Sequence, residues 1–161
     1  MGEEIRADTQ LSRKKFSRFT QEIDMSSYEM FADKNIVAGE LANLMASAGW
    51  GTEGDYDATA IEKSLSAYPM IAYCRDSDGL LVGYISAFTD GAFSTFVGEL
   101  VVRPTYQQRG IGSALLAMIV EKCRGVPVYA TPFQGTEKFF LDRGFRVPER
   151  PMSVVSMRNV T

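Results

Sequence analysis

The run Val101-Val102-Arg103-Pro104-Thr105-Tyr106-Gln107-Gln108-Arg109-Gly110-Ile111-Gly112-Ser113 decides the reading of this chain. An apolar strand passes through a turn into a loop with two glycines, and the loop opens an apolar-periodic helix over roughly residues 113–124. Such a loop is suited to a pyrophosphate. Several backbone N–H groups must converge on the phosphate oxygens, and a Cβ at Gly110 or Gly112 would crowd the ligand or demand a positive φ that larger residues resist. The helix then aims its unpaired N–H groups and the positive end of its dipole at the same place.

The loop fits neither G-x-G-x-x-G nor G-x-x-x-x-G-K-[ST], so a dinucleotide-fold or P-loop reading fails. Its form, Gln107-x-x-Gly110-x-Gly112 between a strand containing Glu99-Leu100-Val101-Val102 and an apolar helix, resembles the acyl-CoA signature of the GCN5-related N-acetyltransferase (GNAT) superfamily. A second block adds to it. After a β-rich run from Val126 to Ala130, Thr136-Glu137-Lys138-Phe139-Phe140-Leu141-Asp142-Arg143-Gly144-Phe145 looks like the family's late helix ending in a Gly-Phe turn. With the strands before Glu99, the resemblance spans roughly residues 30–158.

Hydrophobic period supports a matching order of elements. A strand is expected at 28–31. Ile36, Val37, Leu41, Leu44 and Met45 recur at helical spacing, with Asp33 as N-cap and Gly49 as stop, and a shorter helix follows at 58–67 with Ile61 and Leu65 inward. Three antiparallel strands follow, at 70–74, 80–88 and 94–102, turned by Asp76-Ser77-Asp78-Gly79 and Asp90-Gly91. Beyond the cradle helix come a strand at 126–131, a helix at 135–143 and a last strand at 152–157. This is an α/β chain. The resemblance implies a GNAT-like three-layer α/β/α fold on a mixed, mostly antiparallel sheet of about six to seven strands. Residues 1–25, charged and poor in aliphatics, are expected to be a flexible N-terminal arm, with residues 26–161 forming a single acetyltransferase domain.

Composition narrows the chemistry. There are 17 Lys plus Arg against 20 Asp plus Glu, a net charge of −3, so no general basic field points to nucleic acid. A cationic small acceptor fits this balance better. The chain has no histidine, which excludes Ser-His-Asp and Cys-His triads and a His-ligated metal; no metal is implied. Cys74 and Cys123 are too few for a disulfide framework and read as packed, reduced thiols. No apolar stretch approaches the roughly 20 residues that span a bilayer, and no membrane partner is expected. The acidic start Met1-Gly2-Glu3-Glu4 precedes no signal-peptide core, and a cytoplasmic location is expected.

The resemblance assigns the site. The strands at 94–102 and 126–131 would splay so that the pantetheine arm of acetyl-CoA enters between them. The backbone of Leu100, Val101 and Val102 would bond its amides as an added strand does. Gln107, Gln108, Arg109, Gly110, Ile111, Gly112 and Ser113 would take the pyrophosphate, Arg109 adding charge, and Phe140 would pack near the thiol.

Acyl transfer needs a neutral amine, yet an alkyl amine titrates near ~10.4, so a base or water relay must remove a proton. Glu99 is the candidate base, expected on the same strand face as Val101; the competing reading is a solvated or ion-paired strand carboxylate. Asp90 is a weaker candidate that also reads as a turn acceptor. Many family members place a Tyr at the position of Phe140 to protonate the leaving thiolate, and a phenyl ring has no proton to give. Tyr129, Tyr106 and water are the replacements, each tyrosine also readable as an ordinary aromatic. The family's Asn after the fifth strand is missing, Phe133 falling near that place. Trp50 lines the acceptor pocket or packs under a loop.

The expected function is acetyl-CoA-dependent transfer of an acetyl group to a primary amine of a small molecule, such as an arylalkylamine, polyamine or amino-acid-like compound. The alternatives are a non-catalytic CoA-binding or regulatory module and a protein N-acetyltransferase. A homodimer, common in the family, is compatible with the exposed sheet edges.

Overall fold

A computed structural model of the chain describes residues 25–150 and 152–157. The described residues fall into two compact units, one ending at Ala130 and one beginning at Thr131. The expected N-terminal arm lies outside the described residues except for Met25, which opens a 3-10 turn, Met25–Ser27.

In the first unit the order is β1 (Tyr28–Phe31), α1 (Ala38–Ser47), α2 (Ala58–Ala67), β2 (Met70–Asp76), β3 (Leu81–Thr89), β4 (Thr95–Val102), α3 (Ile111–Lys122) and β5 (Val128–Tyr129). The strands form one sheet in sequence order, antiparallel from β1 to β4 and parallel between β4 and β5. Among the described residues five strands form, against the six to seven expected.

Two side-chain sets bind helices to opposite faces of this sheet. Leu41 and Leu44 of α1 and Ile61 and Leu65 of α2 join Ile71, Tyr73, Tyr84 and Val101 in one buried cluster. Arg75 clamps α1 to β2 with a bidentate pair on Glu40, Nη1 to Oε1 at 2.7 Å and Nη2 to Oε2 at 2.8 Å. On the other face Gly83 lets α3 approach: a Cβ there would stand 2.8 Å from Ile111 Cγ2 and 3.0 Å from Leu115 Cδ1.

The helix expected from an Asp33 N-cap starts four residues later, at Ala38. Asp33 accepts instead from the Asn35 N–H at 2.9 Å and the Tyr73 hydroxyl at 2.8 Å, which ties an extended link to β2 and leaves Val37 as N-cap. Asp57 does cap α2, accepting from the Ala60 N–H at 2.8 Å.

The second unit contains α4 (Glu137–Leu141). Phe140 meets Phe139 and Phe145 edge-on at 5.1 and 5.3 Å, and the Arg143 guanidinium lies 3.8 Å from the Phe139 ring. The last expected strand is absent: residues 152–157 have no regular structure. Val154 and Val155 have strand propensity, but a strand exists only through pairing to a sheet edge, and these residues pair with none among the described residues. Among the described residues no helix is long and apolar enough to cross a membrane.

Gly83→Val should force α3 away from the sheet and cost about 1–3 kcal/mol, as overpacking does. The midpoint of urea unfolding checks it, and an unchanged midpoint would show that the α3 contact yields freely.

Candidate functional site

The register between β3 and β4 holds the feature on which the site is built. Ala87 faces Val97 and Ile85 faces Leu100, so Gly98 and Glu99 together oppose Ser86. This is a β-bulge, one extra residue in β4, and it brings Gly98 and Glu99 to the Ser86 side of the sheet. Glu99 thus shares a face with Val101, whose partner is Tyr84.

Each oxygen of the Glu99 carboxylate receives a hydroxyl. Tyr68, at the C-cap of α2, donates to Oε1 at 2.9 Å, and Ser86 donates to Oε2. The Ser86 Oγ also accepts the Glu99 N–H at 3.0 Å, locking the bulge. Gly98 is required here because a Cβ would lie 2.5 Å from Tyr68 Oη and 2.8 Å from Ser86 Oγ. Burial, with the charge of Glu99 adding to it, pushes the Tyr68 phenol up to about 12. Burial raises the Tyr84 phenol further still.

At the end of β4 the chain makes a 3-10 turn, Pro104–Tyr106, and enters the glycine loop. Gln108 and Gly110 take left-handed φ of +60° and +83° on either side of Arg109, a concave arrangement of backbone N–H groups. The next residue opens α3, and its N-cap, Gly110, has no side chain with which to cap the helix. Helix α3 begins at Ile111 rather than Ser113, so Ile111, Gly112 and Ser113 form its first turn. Pairing between β4 and β5 covers only Thr95 with Val128 and Phe96 with Tyr129. From Val97 to Val102 that edge of β4 has no strand partner among the described residues. A concave loop, an uncapped helix start and an open strand edge suit a molecule that carries a pyrophosphate and amide groups, as acetyl-CoA does.

Other expected residues take various positions. The Gln107 side chain donates to the Val102 carbonyl at 3.0 Å, bracing the loop against the strand end that carries Leu100 and Val101. Arg109 reaches Tyr28 Oη at 3.2 Å and lies 5.2 Å from the Tyr106 ring. Tyr106 gives its hydroxyl to Asp76 at 2.6 Å, a bond that raises the phenol and lowers the carboxyl. Tyr129 stacks on Phe96 at 5.2 Å. Asp90 serves its turn: Oδ1 accepts the N–H groups of Ala92, Phe93 and Ser94, which hold the carboxyl below its ordinary range. Trp50 packs against the hydrophobic core, and Phe133 accepts the Thr136 N–H through its carbonyl. Phe140 belongs to the second unit with its aromatic neighbours. Both cysteines are free and buried, Cys123 accepting from Thr95 Oγ1 at 3.3 Å.

Tyr68 and Ser86 were not singled out in the sequence. A serine within the apolar run Leu81–Phe88 and a glycine before the carboxylate of β4 are the signals that mark them.

Residues 37–145 match the sequence model of the Acetyltransferase (GNAT) family. The chain belongs to this family. It is similar to an uncharacterized N-acetyltransferase, ycf52, of Pyropia yezoensis, 24% identical over 63% of this chain and 59% of the relative. A shorter stretch, 34% of this chain, is 43% identical to 18% of a mycothiol acetyltransferase of Kineococcus radiotolerans. The chain therefore spans less than two thirds of these relatives. Among solved structures, a probable acetyltransferase of Staphylococcus aureus superposes with a TM-score of 0.71 at 18% identity, covering 82% of this chain and 99% of that one. A GNAT protein of Streptococcus pneumoniae does so with a TM-score of 0.68 at 24% identity and the same coverage. These likenesses concern the fold.

The raised phenols set a pH dependence. Tyr68 ordinarily titrates near 10 and is held to about 12 in the fold, so the folded state keeps its proton longer than the unfolded state. The resulting stability is fully present below about pH 10 and is lost as pH rises through about 12. Urea midpoints across that window should fall with pH, and Tyr68→Phe should flatten the slope without abolishing it, since Tyr73 is also raised to about 12.

Proposed function

We propose that this chain is an acetyl-CoA-dependent N-acetyltransferase that acetylates the primary amine of a small molecule, with Glu99 as the base. One observation carries the reading. A single strand, β4, bears the Glu99 carboxylate at its bulge, presents an open backbone edge beyond it, and ends in the concave glycine loop. Phosphate binding, amide binding and proton removal would then follow one another along one element.

When bound, acetyl-CoA supplies an acetyl group activated as a thioester. The loop from Gln107 to Gly112 and the first turn of α3, with Ser113, would hold its pyrophosphate; the backbone of Leu100, Val101 and Val102 would bond its amides. Glu99 accepts a proton from the acceptor's ammonium, directly or through one water, and frees the nitrogen lone pair for attack. Tyr68 and Ser86 hold the carboxylate in place while leaving acceptor capacity on both oxygens. The formal net charge of −3 favours approach of a cationic amine. Free buried thiols support a cytoplasmic setting.

Glu99→Gln should lower kcat about 10²–10⁴-fold while acetyl-CoA affinity stays unchanged. CoA release with a panel of amines, beside calorimetric acetyl-CoA binding, checks this. Binding without turnover of any amine would favour a CoA-binding module, and no binding would overturn the cradle.

A further inference from the structure

The glycine loop is anchored to the sheet at a second place, away from β4. Tyr28 of β1 and Asp76 of β2 are direct cross-strand partners, and each holds one residue of the loop. Asp76 Oδ2 accepts the Tyr106 hydroxyl at 2.6 Å, while its Oδ1 is fixed by the N–H groups of Asp78 and Leu80 in the β2–β3 turn. Tyr28 Oη accepts from Arg109 Nη1 at 3.2 Å. The two tyrosine rings meet edge-on with centroids 6.3 Å apart, and the Arg109 guanidinium lies 5.2 Å from the Tyr106 ring, so the contacts close on one another. Between these loop residues stands Gln108, the one non-glycine residue with a left-handed φ among the described residues, at +60°. A residue with a Cβ is strained there and stays only where its surroundings over-determine it. Gln107, on the other side, is braced on the Val102 carbonyl.

We propose that Tyr28, Tyr106 and Asp76 are positioning residues of the phosphate cradle, which hold the loop in its concave shape before any ligand arrives. This rests on the reading of the loop as the pyrophosphate site. The concave array of N–H groups needs both Gln108 and Gly110 left-handed, and glycine adopts that conformation freely whereas glutamine does not. A turn of Gln108 to extended backbone would redirect the chain between Tyr106 and Arg109 and strain both anchors. The two tyrosine hydroxyls thus act on a phosphate through the loop backbone and not by touching it. A cradle shaped in advance binds more tightly, because binding then has little of the loop left to order.

The test compares the full chain with a double variant, Tyr28→Phe with Tyr106→Phe, which keeps both rings and loses both hydroxyls. Calorimetric binding of CoA is measured beside KM and kcat for acetyl-CoA and for acetyl-pantetheine, a donor without phosphate. The double variant should bind CoA about tenfold more weakly and raise KM for acetyl-CoA with kcat unchanged, while its kinetics with acetyl-pantetheine stay the same. Adding Gln108→Gly, to which the left-handed conformation is open, should restore most of the CoA affinity. Should the double variant fail to fold, as its urea midpoint would show, Tyr28→Phe alone should weaken CoA binding about threefold with the same rescue. Unchanged CoA affinity, a loss shared equally by acetyl-pantetheine, or a loss that Gln108→Gly does not relieve overturns the brace. An unsubstituted chain that binds no CoA overturns the cradle and the brace with it. A chain that binds CoA and acetylates no amine, with the calorimetric loss and rescue intact, upholds the brace and instead overturns the transferase reading.

Discussion

The β-bulge at Gly98 and Glu99 is the constraint from which the rest of the site follows. Strand side chains alternate with period two, so one inserted residue moves everything beyond it to the opposite face. Before the bulge, Thr95 points toward Cys123 beyond the end of α3; after it, Val101 joins the cluster beneath α1 and α2. Without the insertion, Glu99 would share the Val97 face and point toward α3 rather than toward Tyr68. The bulge is held by Ser86, which donates to the Glu99 carboxylate and accepts from its backbone N–H. It also depends on a glycine, since a Cβ at Gly98 would displace the Tyr68 hydroxyl.

The same strand couples the carboxylate to the glycine loop. Gln107 braces the loop on the Val102 carbonyl, and Arg103 ties the strand end to Asn43 of α1 at 2.8 Å. Helix α3 rests on Gly83, the partner of Val102 across the sheet. The distance from carboxylate to loop is therefore set by covalent geometry along β4 and by packing on both its faces. A flexible loop would hold neither to the tolerance that proton transfer requires.

Much of this was readable in the residues. Period and turn chemistry placed strands at 28–31, 70–74, 80–88 and 94–102 and a helix at 58–67 close to where they form. The loop glycines marked the left-handed position at Gly110. Three readings went astray for identifiable reasons. Asp33 has the chemistry of an N-cap, but its carboxylate is taken by Asn35 and Tyr73, and the second of these is 40 residues away. The run at 152–157 has strand propensity without a sheet edge. The strand expected at 126–131 shortens to Val128–Tyr129, since strand length is set by how far a neighbour remains parallel to it.

The sequence by itself determined the element order, the glycine loop between strand and helix, and the presence of a lone carboxylate in an apolar strand. These depend on local periodicity and on backbone conformations that only certain residues adopt. The tertiary structure alone decided that Tyr68 and Ser86 hold that carboxylate and that the bulge turns it away from α3. Tyr68 and Glu99 are 31 residues apart, and Ser86 and Glu99 13. Contacts at such separations are fixed by strand register and helix packing, which pattern within a short window does not encode.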